Sequence, residues 1–183
     1  MHEIRMTNKD EFIENLILQR TAAFTRLGGF GVLNEWFQTG DKSILSRFLR
    51  ENNYLEIYVR ETIGEIAKEV DDLIEKINDR KIEKLISIGP GNGIYELCLM
   101  KKLGCASILL IDIEETSDHN HGFNLTGSGY ASLLATKDFL TLNGINETHI
   151  NLCNPYKEEL PDFDFDLLIS ILSMGFHYPC DEY

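Results

Sequence analysis

Three glycines stand on alternate positions in Leu85-Ile-Ser-Ile-Gly89-Pro90-Gly91-Asn-Gly93-Ile-Tyr-Glu, between an apolar run and a helix-like segment. A chain that must turn sharply and let a ligand near its backbone needs residues without a Cβ. A plain turn of this kind requires one or two of them. Nineteen residues past Gly93, a second apolar run, Ser107-Ile-Leu-Leu-Ile, ends on Asp112. A carboxylate at a strand's carboxyl end, about 20 residues past such a loop, can accept hydrogen bonds from both hydroxyls of a ribose. Glu114 is the alternative carboxylate, and a solvated acidic loop is the plain alternative for Asp112. His177 follows the last apolar run, at the mouth of the same crevice, and is the titratable group placed to take a proton from an alcohol. A surface or packing histidine explains it equally simply. Asp118-His119-Asn120-His121 could ligate a divalent metal, but a polar solvated loop accounts for these residues too, and no metal is assigned.

Positioning these residues takes alternating strands and helices. Residues 84–88 form a short apolar run that ends in glycine, 94–103 read as a helix closed by Gly104, and 107–111 as a fully apolar strand. A second helix is expected over 130–143, with Ser128 as its cap and Gly144 as its stop. Residues 149–153 make a weaker strand and 165–172 a strong one, apolar enough to be a central strand buried on both faces. Helices between apolar strands imply βαβ units, a parallel sheet and right-handed crossovers. Seventeen residues separate Asp112 from Tyr130, long for such a connection, and the expectation there is a lid or a substrate-binding element.

The first 80 residues read as helical. Phe12, Ile13, Leu16, Ile17, Phe24 and Leu27 predict one helix over 8–27, stopped by Gly28-Gly29. A short helix follows over 43–49, opened by Asp41. Val59, Ile63, Ile66, Val70, Leu73 and Ile77 are spaced 4, 3, 4, 3 and 4, which predicts a long amphipathic helix over 54–80. Its apolar stripe packs on the neighbouring domain or forms a seam with a second chain. The expected organisation is therefore a helical region over 1–80 and an α/β domain over 81–183.

Bulk properties narrow the function. The chain of 183 residues is 43% hydrophobic and 26% charged, the balance of a soluble globular protein. It contains no apolar run of the roughly 18 residues that a membrane span needs. Its first residues have no apolar signal core, so a cytoplasmic location is expected. Net charge is −13 and unevenly placed. Residues 85–183 hold four Lys, no Arg and 14 acidic residues, whereas residues 1–84 hold 13 basic and 16 acidic ones. An acidic half without arginine is a poor partner for phosphates, which argues against nucleic acid. Cys98, Cys105, Cys153 and Cys180 show no metal-ligand spacing and read as reduced thiols.

The glycine spacing discriminates between ligands. A dinucleotide fingerprint, G-x-G-x-x-G, would put its third glycine at position 94, which is Ile94; a P-loop would need Gly-Lys-Ser/Thr. The pattern here, G-x-G-x-G after a strand, resembles motif I of class I S-adenosylmethionine-dependent methyltransferases. The apolar run Asp164-Phe-Asp-Leu-Leu-Ile-Ser-Ile-Leu-Ser173 is similar to the same family's motif IV, and the resemblance spans residues 84–179. It implies a Rossmann-like sheet with S-adenosylmethionine as cofactor. Gly89, Pro90, Gly91 and Gly93 would lie under its methionine and ribose portions, Asp112 would hold the ribose, and Ile113 would line the adenine. Two positions depart from the pattern. Ser87 stands where the family carries an acid, and Asn154 or Asn151 must serve near the adenine. Residues 174–179 and 122–130 resemble a branch of sugar O-methyltransferases. Asn154-Pro155-Tyr156 lacks the second proline of the amino-methylating motif and follows the third strand rather than the fourth.

The function implied is methyl transfer to a small molecule, with a sugar hydroxyl as the suggested acceptor. Two alternatives stand beside it: a nicotinamide-dependent reductase, and a non-catalytic interaction protein with a vestigial cofactor fold. A complete domain of this family continues for three more strands, so the chain reads as truncated after the fourth. That strand would then be an open apolar edge, covered either by the amino-terminal helices or by a second copy. A homodimer through this edge or through the long helix is one assembly that the sequence allows.

Overall fold

The computed structural model describes residues 4–7, 9–77, 80–114, 131–171 and 173. Before the first strand come α1 (Asp10–Gln19), α2 (Thr21–Arg26), α3 (Phe30–Thr39), α4 (Ser43–Glu51) and α5 (Leu55–Ile77). Then follow β1 (Lys84–Ile88), α6 (Ile94–Leu103), β2 (Ser107–Ile111), α7 (Leu133–Leu142), β3 (Ile150–Cys153) and β4 (Leu167–Ile169). The strands make one sheet, all parallel, in the order β3-β2-β1-β4. The fold is therefore α/β with a parallel sheet, consistent with a Rossmann-like arrangement. The chain steps outward from β1 through β2 to β3 and then returns to the other side of β1. Between β1 and β4 lies a topological switch point, where open α/β sheets leave a crevice at the carboxyl ends of their strands.

Packing explains why the helical region and the sheet hold together. Leu85, Ile108, Leu110, Ile150 and Ile169 share one continuous core with Leu16 and Ile17 of α1, Leu49 of α4, Val70 of α5 and Leu97 of α6. On the opposite face, Ile86, Leu109, Ile111 and Cys153 form a smaller cluster with Ile88 and Phe163. Helix α6 is buried at every position from Ile94 to Met100, because α5 covers it on the side away from the sheet. That is why its sequence shows no polar face.

Four expectations need correction. The helix over 8–27 is two helices, broken at Arg20 (φ −134°, ψ 51°). The cause lies far along the chain. The Tyr58 hydroxyl donates to the Leu16 carbonyl at 3.0 Å, and the Arg20 guanidinium forms two bonds to Glu69 at 2.6 and 2.9 Å. In α5 the deepest row is Tyr58, Thr62, Ile66 and Val70, whereas Val59, Ile63, Leu73 and Ile77 are half-buried. The buried row therefore follows i, i+4 spacing, while the helix packs on α6 of the neighbouring α/β region, the first of the two packings expected. Helix α7 opens at Leu133, with Ser132 Oγ accepting from Ala135 N at 3.4 Å, so its cap is Ser132.

The fourth correction concerns β4, which is three residues long rather than eight. Leu168 is 42% and Phe165 51% exposed, so this is not a central strand buried on both faces. Leu168 is in register with Ile86 and points to the sheet face away from the main core. Among the described residues β4 pairs only with β1, and the amino-terminal helices pack on the other face of the sheet rather than as a strand-edge cover.

Candidate functional site

At the end of β1 the chain enters the glycine loop. Gly89 keeps its N–H on the Ile111 carbonyl at 2.8 Å, so β1 and β2 stay paired up to the turn. Gly89, Gly91 and Gly93 have φ of +68°, +55° and +76°, the left-handed region that side chains disfavour. The Gly93 carbonyl then accepts from Leu97 N at 2.9 Å and starts α6.

Each glycine also has a side chain standing where its Cβ would be. A Cβ on Gly89 would lie 2.3 Å from Ser173 Oγ, and one on Gly93 would lie 2.7 Å from Thr136 Cγ2. At Gly91 the Gln19 amide fills the space, with Nε2 1.2 Å from the ideal Cβ position. The Thr136 hydroxyl donates to the Gly91 carbonyl, and Asn92 Nδ2 donates to the Phe12 carbonyl at 2.8 Å. The loop is thus gripped from α1, from α7 and from just past β4. Close approach by the protein's own side chains accounts for the loss of Cβ atoms here.

The end of β2 presents two carboxyls with opposite fates. Asp112 Oδ1 accepts from Glu114 N at 3.1 Å. Burial pushes the Asp112 carboxyl up to about 6; N–H groups of Glu114 and Ile113 oppose the rise, and the Glu114 charge adds to it. Glu114 is held below its ordinary value, first by Lys157 at 2.6 Å and then by Asn154 at 3.0 Å. Glu114 is engaged by Lys157; among the described residues no cation pairs with Asp112. Ile113 is buried beside them.

Asn154 is committed to the scaffold. Its Nδ2 donates to the Ile113 carbonyl at 3.1 Å as well as to Glu114, and its Oδ1 accepts from Tyr156 N at 3.0 Å. It ties the β3 end to the β2 end, with its Nδ2 engaged by two protein acceptors and its Oδ1 by one donor. Asn151 is exposed on β3 and donates to the Ile108 carbonyl at 3.4 Å. Pro90 is buried within the loop. His177, the Asp118–His121 stretch, Ser128 and Cys180 lie outside the described residues. Cys98, Cys105 and Cys153 are free thiols that burial pushes above their ordinary range, Cys105 to about 11.

Comparison with protein-family models, with curated proteins and with solved structures finds no match. The site must be read from its own residues.

One such residue escaped the motif reading. Glu96, 2% exposed in the first turn of α6, accepts from the Ser87 hydroxyl at 2.6 Å, and its Oε2 has no partner. Burial pushes this carboxyl up to about 7, against smaller opposing effects of the Ser87 bond and Arg20. A lone acid inside the apolar stretch Ile94-Tyr-Glu-Leu-Cys-Leu-Met was the available signal, because charges are rarely buried without a purpose or a partner. Gln19 and Ser173 carry no such signal, since only the fold brings them to the glycines. No helix among the described residues is long and apolar enough to cross a membrane.

Proposed function

We propose that this chain is a cofactor-binding α/β domain of the class I S-adenosylmethionine-dependent methyltransferase type, acting on a small molecule. The observation that carries the reading is a juxtaposition. The glycine loop leaves β1 and Asp112 leaves β2 at neighbouring carboxyl ends, beside the β1/β4 switch point. Asp112 is raised by burial and pairs with no cation among the described residues, so a pair of ribose hydroxyls would add donors to the N–H groups of Glu114 and Ile113. Glu114, the alternative carboxylate, is already satisfied by Lys157 and Asn154.

Asp112 offers a carboxylate for the ribose, whereas at Gly91 the fit is conditional. A ligand lying on the Gly91 backbone requires the Gln19 amide to swing aside or to become one of its hydrogen-bond partners. That movement is confined to the end of one half-buried, unbranched side chain. The bound cofactor would supply a methyl group on a sulfonium, a good leaving group. The protein's part is then alignment, which can lower the barrier by roughly 7–11 kcal/mol. An alcohol acceptor, such as a sugar hydroxyl, further needs a base, the role that the sequence assigns to His177.

A second reading has its own support. A domain that keeps the fold but not the chemistry would be free to fill its glycine loop with Gln19 and Ser173, as found here. Titration calorimetry with S-adenosylhomocysteine separates the two. The methyltransferase reading expects binding by the parent chain, weaker binding after Asp112→Ala, and none of NADH. No heat from the parent or from Gln19→Ala would leave the non-catalytic reading standing.

A further inference from the structure

The Gln19 carboxamide fills the space that the missing Gly91 side chain leaves open, with Nε2 1.2 Å and Cδ 2.5 Å from the ideal Cβ position. Non-bonded atoms need about 3.5 Å between them, so a ligand cannot rest on the Gly91 backbone while this amide is seated. Among the described residues no hydrogen bond holds the carboxamide, and the side chain is half-buried. Its seat is therefore set by the backbone that carries it.

That backbone is fixed from α5. Gln19 is the last residue of α1, and the chain breaks next to it at Arg20. The Tyr58 hydroxyl reaches the Leu16 carbonyl at 3.0 Å and the Arg20 carbonyl at 3.4 Å, holding the turn on both sides of Gln19. The Arg20 guanidinium clasps the Glu69 carboxylate through bonds of 2.6 and 2.9 Å. Arg26, the last residue of α2, pairs with Glu65 and lies 3.9 Å from Glu61. Glu61, Glu65 and Glu69 stand four residues apart, in one row along α5. Their side chains are 42%, 40% and 43% exposed. Ion pairs this open to water are weak and screened by salt, so such a fastening can loosen without disturbing the core.

We propose that Gln19 is an autoinhibitory plug of the glycine loop, kept in its seat by the Arg20–Glu69 pair. Loosening that pair lets the carboxamide leave more often and opens the Gly91 backbone to a ligand. This rests on the reading of the loop as an S-adenosylmethionine site and adds its regulation: the amino-terminal helices set the fraction of the protein able to bind. Apparent affinity falls in proportion to that fraction, so a plug seated about nine-tenths of the time weakens binding about tenfold.

Titration calorimetry with S-adenosylhomocysteine on the full chain, on Gln19→Ala, on Glu69→Gln and on the double variant tests it. Gln19→Ala clears the space above Gly91 and keeps a strong helix former, so it should bind about tenfold more tightly than the parent. Glu69→Gln should gain part of that. In the double variant the Glu69 change should add nothing, since no plug remains to release. In the ligand-free parent, nuclear Overhauser contacts should join the Gln19 side-chain amide to the Gly91 Hα protons, and they should weaken in Glu69→Gln. This second measurement serves if Gln19→Ala fails to fold. Equal or weaker binding by Gln19→Ala, or a Glu69→Gln gain that persists in the double variant, would overturn the plug and leave the cofactor reading standing. Absence of the Overhauser contact in the parent would do the same. No binding by any of the four chains would instead overturn the cofactor reading, and the regulation with it.

Discussion

Ser87 donates a 2.6 Å hydrogen bond to Glu96, joining the middle of β1 to the first turn of α6 just below the glycine loop. The acid that the family resemblance expects on the strand is thus absent there, while a buried carboxylate arrives from the helix to meet the hydroxyl in its place. This carboxylate sits away from water with one oxygen unpaired, so its charged form is disfavoured.

A pH dependence follows. Burial pushes the Glu96 carboxyl up to about 7 in the folded chain, from 4.5 where it is free in water. A raised folded value means that its contribution is fully present below about pH 4.5 and is lost as pH rises through 7. The loss is roughly 3 kcal/mol by linkage. Asp112, raised from 3.8 to about 6, has the same sign over a lower window. Urea midpoints should therefore fall between pH 5 and 8. Glu96→Gln keeps a partner for Ser87 but carries no charge, so its profile should be flatter between pH 4.5 and 7, with the variant more stable than the parent at pH 8. Parallel profiles for the two proteins would refute the burial of charge at Glu96.

Gly91 and Gln19 should behave as a coupled pair. Alanine at Gly91 would be held at φ +55°, a strain of about 1–2 kcal/mol, and its methyl would displace the Gln19 amide. In Gly91→Ala the loss of stability should reach at least that strain. In a Gln19→Ala background the same substitution should cost less, because the space is empty there. Strict additivity in denaturant unfolding would mean that Gln19 does not occupy the Gly91 space in solution.

Asp112 and Glu114 should separate by function. Asp112→Ala removes the carboxylate assigned to the ribose and should weaken S-adenosylhomocysteine binding by about 1.5–3 kcal/mol, or roughly ten- to a hundredfold. Glu114→Ala instead frees Lys157 and one Asn154 contact. Its effect should be on the β2–β3 connection, seen as faster amide exchange near 113–114 and 154–158. A larger affinity loss in Glu114→Ala than in Asp112→Ala would reverse the assignment.

Much of the fold was legible because parallel strands write themselves as short apolar runs, and glycines mark where the chain turns. The runs at 84–88 and 107–111 are strands at those residues, and Gly104 closes α6 as expected. What stayed hidden depended on distant partners. The break at Arg20 is made by Tyr58 and Glu69, which lie 38 and 49 residues away. The apolar run over 165–172 marks a strand, but its content does not show that among the described residues only 167–169 pair, with Leu168 exposed beside β1. In the site, the spacing of the glycines was readable, but what presses on them was not. Ser173, Gln19 and Thr136 are far apart in sequence and look ordinary there.

The Asp166 carboxylate, just before β4, accepts from Glu83 N at 2.8 Å and Lys84 N at 2.9 Å, while its own N–H donates to the Lys84 carbonyl at 2.9 Å. These bonds pin the entry of β4 to the entry of β1 and set the register of Leu85 with Leu167. They also hold the Asp166 carboxyl below its ordinary range, first through the Glu83 N–H and then through that of Lys84. A lowered folded value means that the anchor is intact above the ordinary value of 3.8 and is lost as pH falls through the folded one. Leu168 is 42% exposed and the strand has three residues, so besides Asp166 it is held by its pairing with β1 and by Ile169 in the core. Asp166→Ala should therefore make the 167–169 amides exchange markedly faster, while those of β1–β2 and of α6 stay protected. Asp166→Asn, which retains one acceptor oxygen, should fall between the two. Uniform loss of protection across the sheet would show instead that β4 and β1 open as one unit, and that Asp166 serves the whole fold rather than the register of one edge.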